Sequence, residues 1–313
     1  MLRRPLYAVL LLGFALMACQ PSSRASSPAV EERPTLNPSP TPSATPRPTA
    51  SPTPRPSPTS TFTPAPPSPT PTPAYRVPPQ HASWQIQFTD PLDLNLSVQV
   101  FDLDLFDTPS TVIEHLHQQG VYVMCYFSAG TWEEWRPDAD AFPQEVLGKP
   151  LEDWPGERWL DIRRLDVLAP IMEARMDLAR EKGCDGVDPD NVDGYTNDTG
   201  FPLTFDDQLA YNRFLAQAAH ARGLAVGLKN DLEQIPQLLP DFDWALNEEC
   251  FTYDECELLL PFVEAGKPVF VIEYELALED FCPQANALGF NALLKRWELD
   301  AFRVDCREFT QNR

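Results

Sequence analysis

The residues with chemistry to offer are carboxylates, and they fall in two short stretches. "GCDGVDPDNVDGY" at 183–195 sets Asp185, Asp188, Asp190 and Asp193 within nine positions, and "NEEC" at 247–250 sets Glu248 beside Glu249. Two acids facing each other across a cleft, without histidine or cysteine partners, are the apparatus of glycosidic-bond hydrolysis. One ionises and attacks or stabilises an oxocarbenium-like centre. The other holds a proton for the leaving oxygen, which crowded negative charge favours. The candidates are Asp188 and Asp190 in the first stretch and Glu248 and Glu249 in the second. A calcium loop does not fit. Counted from Asp188, an EF-hand would need an oxygen ligand where Val192 stands, glycine one place before Gly194, and glutamate at Thr199. With four histidines in all and no CxxC pair, no zinc site or other cofactor is expected.

These acids need a scaffold that delivers them to one face. Apolar runs at 84–88, 98–103, 121–127, 186–188, 224–228, 244–247, 269–274 and 290–295 read as strands. Amphipathic stretches such as "VLAPIMEARMDLAREKG" and "FDDQLAYNRFLAQAAHARG" lie between most of them, several closing on a glycine in the helix C-cap position. Strand and helix repeated eight times predict an α/β fold of the (β/α)8 TIM-barrel type, with an open doubly wound sheet as the alternative. No GxGxxG or phosphate loop follows the first strand.

A barrel places its chemistry at the C-terminal ends of its strands. Polar residues gather there: Asp102 and Asp104 on the second strand, Tyr126 and Ser128 on the third, Asp188 and Asp190 on the fourth. Lys229 and Asn230 end the fifth strand, Glu248 and Glu249 the sixth, and Tyr274 the seventh. Asp188 and Asp190 share one side of their strand, and Pro189 lacks a ladder donor, so the strand should fray and lift Asp190 to the rim. Sugar contacts are assigned to Asp104, Tyr126, Ser128, Asp188, Asn191, Asp193, Lys229, Asn230, Glu249 and Tyr274. The long insertion 129–166 carries Trp132, Trp135, Trp154 and Trp159, which either stack on sugar rings or pin the loop.

Composition divides the chain into zones. Residues 1–19, "MLRRPLYAVLLLGFALMAC", have the layout of an export signal, and "LMAC" resembles a lipobox that would leave Cys19 lipidated. Residues 20–80 hold 20 of the 35 prolines among Ser and Thr and read as a disordered spacer. The domain at 81–313 carries 17 basic against 44 acidic residues, a net charge of −27. That charge argues against nucleic acid and anionic membranes as partners, apart from a lipid anchor, and suits a cationic polymer. Six domain cysteines in an exported chain favour disulfides. Local spacing suggests Cys250 with Cys256 and Cys282 with Cys306, leaving Cys125 with Cys184, among 15 possible connectivities.

Taken together, "VMCYFSAGTWEEWRPD", "WPGERWLDIR", "GVDPDNVDGY", "GLKND" and "NEECFTYDEC" resemble, in order, the endo-α-1,4-polygalactosaminidase family of glycoside hydrolases. The resemblance implies a (β/α)8 fold and endo-hydrolysis of α-1,4-linked galactosamine polymers by acids at the ends of the fourth and sixth strands. Carried onto "DPDN" and "NEEC", it assigns Asp190 as nucleophile or stabiliser and Glu248 as general acid/base, with Asp188 and Glu249 as the neighbouring alternatives. Cationic substrate and acidic domain agree. An extracellular or cell-surface monomer is expected, with a non-catalytic carbohydrate-binding lipoprotein as the alternative.

Overall fold

The computed structural model describes residues 75–311. The expected signal segment, Cys19 and the spacer up to residue 74 lie outside the described residues. Strands β1 (Trp84–Gln87), β2 (Val100–Asp104) and β3 (Tyr122–Ser128) come first, with helix α1 (Ser110–Gln118) between the last two. The insertion follows as β4 (Thr131–Glu133), β5 (Leu147–Pro150) and β6 (Glu157–Leu160). Then come α2 (Leu165–Lys182), β7 (Gly186–Asp190), α3 (Phe205–Ala221), β8 (Ala225–Lys229), α4 (Ile235–Leu238) and β9 (Trp244–Glu248). The chain ends with α5 (Leu260–Glu264), β10 (Val269–Glu273), α6 (Leu278–Leu288), β11 (Asn291–Leu294), β12 (Val304–Asp305) and α7 (Cys306–Gln311).

The main sheet runs β1-β2-β3-β7-β8-β9-β10-β11 with every pair parallel, and β12 adds an antiparallel edge. Strand order follows chain order without reversal, which excludes a doubly wound sheet, whose order turns back at a switch point. The sheet curls until its ends meet. The Trp84 indole donates to the Asn291 carbonyl at 2.9 Å, Ala82 N–H donates to Asn291 Oδ1 at 2.9 Å, and Phe88 N–H donates to the Leu299 carbonyl at 3.0 Å. This mixed α/β architecture fits a TIM-like fold. The regular strand–helix alternation expected from sequence is incomplete: β1 and β2 are joined without a helix, and α4 and α5 are each barely a turn long. The insertion, expected as a loop, is a small antiparallel sheet in the order β4-β6-β5.

Period-two alternation builds two cores from the same strands. On β3, Tyr122 and Met124 point inward to join Trp84, Val100, Trp244, Leu246, Phe270 and Ile272. Val123, Cys125 and Phe127 point outward against Leu168, Met172, Met176 and Leu215 of the helices. Trp244 fills the base of the interior where only glycine fits opposite it. A Cβ on Gly227 would come within 2.1 Å of the indole, and one on Gly186 within 2.7 Å.

The helices are placed by local signals. α3 opens on a capping box in which Thr204 and Asp207 satisfy each other's backbone N–H groups, and α2 closes on left-handed Gly183 at φ 96°. Disulfides join Cys125 to Cys184, Cys250 to Cys256 and Cys282 to Cys306, the pairing that local spacing suggested.

Candidate active site

Three neighbouring strands end on a charged residue followed by a left-handed turn. Asp190 of β7 precedes Asn191 at φ 59°, Lys229 of β8 precedes Asn230 at φ 50°, and Glu248 of β9 precedes Glu249 at φ 64°. Asparagine tolerates this conformation by bonding locally, whereas a glutamate there is uncommon and holds local strain of a kind that gathers at functional sites. Each turn takes the backbone away at once and leaves the preceding side chain at the strand end. The "AG" of the third strand has a matching cause. Ala129 and Gly130 N–H both donate to the Asp190 carbonyl, at 2.9 and 3.0 Å, and a Cβ on Gly130 would strike the Asn191 carbonyl.

Lys229 joins the two assigned acids. Its Nζ lies 3.2 Å from Asp190 Oδ1 and 3.4 Å from Glu248 Oε1, so those two oxygens stand no more than about 6.6 Å apart. Burial alone would weaken the ammonium, but Asp190, Glu248 and Asp188 outweigh it and hold Lys229 charged well above its ordinary range. The Tyr126 hydroxyl donates to Asp190 Oδ2 at 3.1 Å, and the Tyr274 hydroxyl, raised first by burial, lies close enough to Glu248 for that carboxylate to raise its pKa further. Asn230 Oδ1 accepts from the Glu248 backbone N–H at 3.0 Å and from Asn247 Nδ2 at 3.2 Å, which fixes the end of β9.

These groups line a cleft of about 270 Å³. The insertion supplies one wall. There Arg136 forms 2.7 Å ion pairs with both Asp104 and Glu133, and Thr131 donates to Glu157 at 2.9 Å. Glu157 makes no ion pair among the described residues, and burial, with Glu133 and Asp190 nearby, pushes its carboxyl up to about 7. Trp135 and Trp154, each about half exposed, form the outer lip, and Trp297 stacks on Tyr274 at 4.0 Å.

One layer below sits a second carboxylate pair. Asp188 and Asp102 are fully buried, and among the described residues none of their four side-chain oxygens has a hydrogen-bond partner of ordinary geometry. Each acid shifts the titration of the other, as neighbouring buried carboxyls do. Burial first, then Asp188, drives Asp102 well above the ordinary carboxylate range, and burial raises Asp188 to about 6 against the pull of Lys229.

Of the expected sugar contacts, Asp104, Tyr126, Asn191, Lys229, Asn230 and Tyr274 line the cleft with Asp190 and Glu248. Asp193 and Glu249 line a neighbouring groove that shares Asn230 and Glu248. Asp188 and Ser128 are corrections, since both are fully buried below the floor. Ser128 is occupied by Thr131 and Asn191, and Asp188 lies against Lys229 and Asp102 with no accessible surface. Inward alternation was read properly, but depth along the barrel axis is not a property of alternation. Asp185 is structural, accepting from Val123 N–H and pairing with Arg76 and His117. The tryptophans divide: Trp132 pins the insertion by donating to the Ala139 carbonyl, while Trp135 and Trp154 reach the cleft. Glu133, Arg136, Glu157 and Trp297 were missed. For Trp297, its place just past the last parallel strand was a usable signal.

Residues 64–311 match the profile of glycoside-hydrolase family GH114. The crystal structure of Aspergillus fumigatus Ega3 in complex with galactosamine is 40% identical, with a TM-score of 0.69 over 74% of this chain and 97% of that one. The glycoside hydrolase domain of PelA from Pseudomonas aeruginosa is 15% identical, with a TM-score of 0.58 over 71% and 97%, and shares the fold. No match is found among curated proteins. The chain belongs to glycoside-hydrolase family GH114 and is a glycosidase.

Proposed function

We propose that this glycosidase is an exported endo-hydrolase of α-1,4-linked galactosamine polymers and that Asp190 and Glu248 carry its two-carboxylate reaction on a (β/α)8 barrel. The observation that carries the mechanism is Lys229 in contact with both acids. The bound of about 6.6 Å between their nearer oxygens is compatible with the spacing of a retaining enzyme, typically about 5 Å.

Asp190, held by Tyr126 and Lys229, attacks the anomeric carbon as Glu248 gives its proton to the glycosidic oxygen, which departs with the bonding electrons. Glu248 then takes a proton from water, and the water oxygen displaces Asp190 from the anomeric carbon. Glu248 suits the acid/base role because it lines both hollows and so reaches the leaving chain and the incoming water. Galactosamine bound to the 40%-identical Ega3 and the acidic walls of the cleft support a cationic aminosugar substrate. The three disulfides fit an oxidising compartment, and the segment before residue 20 supports export with a lipid at Cys19.

The test is release of reducing ends from partly deacetylated galactosaminogalactan by the purified protein, with the anomer of the first product read by NMR. Retained configuration and loss of product in Asp190→Asn are expected. Binding without product after long incubation refutes the enzymatic reading in favour of a carbohydrate-binding surface lipoprotein.

A further inference from the structure

The first and last parallel strands meet without a ladder: among the described residues no backbone pairing joins β1 to β11. Beyond the Trp84–Asn291 contact, two buried side chains close the seam. Gln85 has no exposed surface, and Lys295, just past β11, is 1% exposed. Lys295 Nζ donates to Gln85 Oε1 at 3.0 Å and to the Asp300 carbonyl at 2.7 Å. Gln85 Oε1 also accepts from the Ile86 N–H at 3.2 Å, and Gln85 Nε2 donates to the Ala301 carbonyl at 3.3 Å. Among the described residues Lys295 makes no ion pair, so no carboxylate accounts for its burial. An amine taken out of water is costly unless its N–H groups are used, and here they are used on the seam and on the segment that follows it.

That segment, 296–303, is an irregular strap over the cleft. Trp297 and Leu299 line the cleft, and the Trp297 indole lies on Tyr274 with the ring planes 13° apart. The strap's outer fastening is to the turn after β1. There the Leu299 carbonyl accepts from the Phe88 and Thr89 N–H groups at 3.0 and 3.4 Å, and the Thr89 hydroxyl donates to the Glu298 carbonyl at 2.5 Å. Leu299 sits at φ 43°, a conformation that a leucine holds only when its surroundings impose it. With neither helix nor ladder of its own, the strap keeps its position through these tethers. Gln85 and Lys295 are the buried ones.

We propose that Lys295, acting through Gln85 and the Asp300 carbonyl, is a positioning residue for substrate binding: it fixes the strap at the height where Trp297 and Leu299 form one wall of the cleft. Lys295 touches no substrate, since it is buried beneath the strap. Its loss leaves the Asp300 carbonyl and the Gln85 oxygen one donor short and lets the strap rise. The polymer then loses its contact with the Trp297 wall, while Asp190 and Glu248 keep their places on β7 and β9. The inference takes the polymer proposed above as substrate, but one of its readouts does not depend on it.

The test compares the unaltered protein with Lys295→Met, which keeps the length of the side chain and removes every N–H. On the galactosamine polymer KM should rise about tenfold while kcat stays within about threefold. Trp297→Ala, a change at a half-exposed side chain, should raise KM to a similar extent, and adding Lys295→Met to it should raise KM by less than about twofold more, because no indole is left to misplace. Amide hydrogen exchange on the ligand-free proteins should be about tenfold faster in Lys295→Met over 86–90 and 296–303 and unchanged in the helices and the other strands. If Lys295→Met does not fold, Thr89→Val, which removes only the exposed outer tether, decides the matter. About threefold in KM with faster exchange in the same two segments upholds the strap, and no change in either overturns it. Equal damage to kcat and KM, additive losses in the double variant, or faster exchange spread evenly over the barrel also overturns it, since a lysine that served stability alone would do the same. Should the unaltered protein fail to hydrolyse the galactosamine polymer, the proposed substrate falls and exchange decides by itself. Faster exchange confined to the two segments keeps the clamp, and even or unchanged exchange removes it.

Discussion

Asp188 and Asp190 lie two residues apart on one strand, face the same way, and differ in everything that matters to chemistry. Asp190 is partly open at the strand end, accepts from Tyr126, and shares Lys229 with Glu248 across the cleft. Asp188 is closed off one layer down, beside the equally buried Asp102, and neither of its oxygens has a hydrogen-bond partner among the described residues. The upper pair is bridged by a cation and meets solvent. The lower pair is cut off from solvent. Two residues of strand, about 6.6 Å, separate a group that can reach substrate from one that can only shape the field above it.

The largest effect that sharpens this contrast is expected from the upper pair. Asp190→Asn and Glu248→Gln should each lower kcat on a galactosamine polymer by roughly 10³-fold or more, with Tm nearly unchanged. Steady-state rates beside thermal melts read both quantities. Lys229→Met comes next. It removes the shared cation and leaves the carboxylates facing each other, so roughly 3 kcal/mol of stability should go along with about 10²-fold in kcat. A fully active Lys229→Met protein would show that the bridge is not part of the site's function.

The lower pair should respond more gently. Asp102→Asn removes one acid of the buried pair and offers Asp188 an amide donor of the same shape, so the fold should survive. Activity should fall about tenfold, with the alkaline or acid limb of the rate profile displaced. If Asp102→Asn proved as damaging as Asp190→Asn, the distinction between the layers would collapse.

The smallest predicted effect concerns pH. Asp188 and Asp193 are raised to about 6, Glu157 to about 7 and Asp231 to about 9. A carboxyl whose folded pKa exceeds its unfolded value keeps its proton longer in the native state. Across this window the native protein therefore binds more protons than the unfolded chain, and stability falls as pH rises from about 4 through 9. Tm should be higher at pH 5.5 than at pH 8.5, on the order of 5 °C, by calorimetry. The opposite order would mean that these acids are not buried as described.

Much of this was legible along the chain because the signals are local. All eight parallel strands fall within a few residues of the apolar runs, since a buried parallel strand needs a continuous apolar segment and little else. Asp190 and Glu248 were legible because the ends of such strands form one face. The β-structure of the insertion was not, since β4 and β6 pair antiparallel across more than twenty residues whose alternation is too short to read. Arg136 and Glu157 entered the site through that pairing and were missed with it.

The sequence by itself determined which residues could sit at the strand ends, the balance of charge, and the local cysteine pairing, because each depends on periodicity, composition or short spacing. Only the tertiary structure decided that Lys229 would bridge Asp190 and Glu248, that Asp102 would meet Asp188, and that Asp231 and Asn247 would line one groove. Those meetings depend on the curvature and register of the sheet. Curvature and register arise from the packing of all the strands together, and no single segment encodes them.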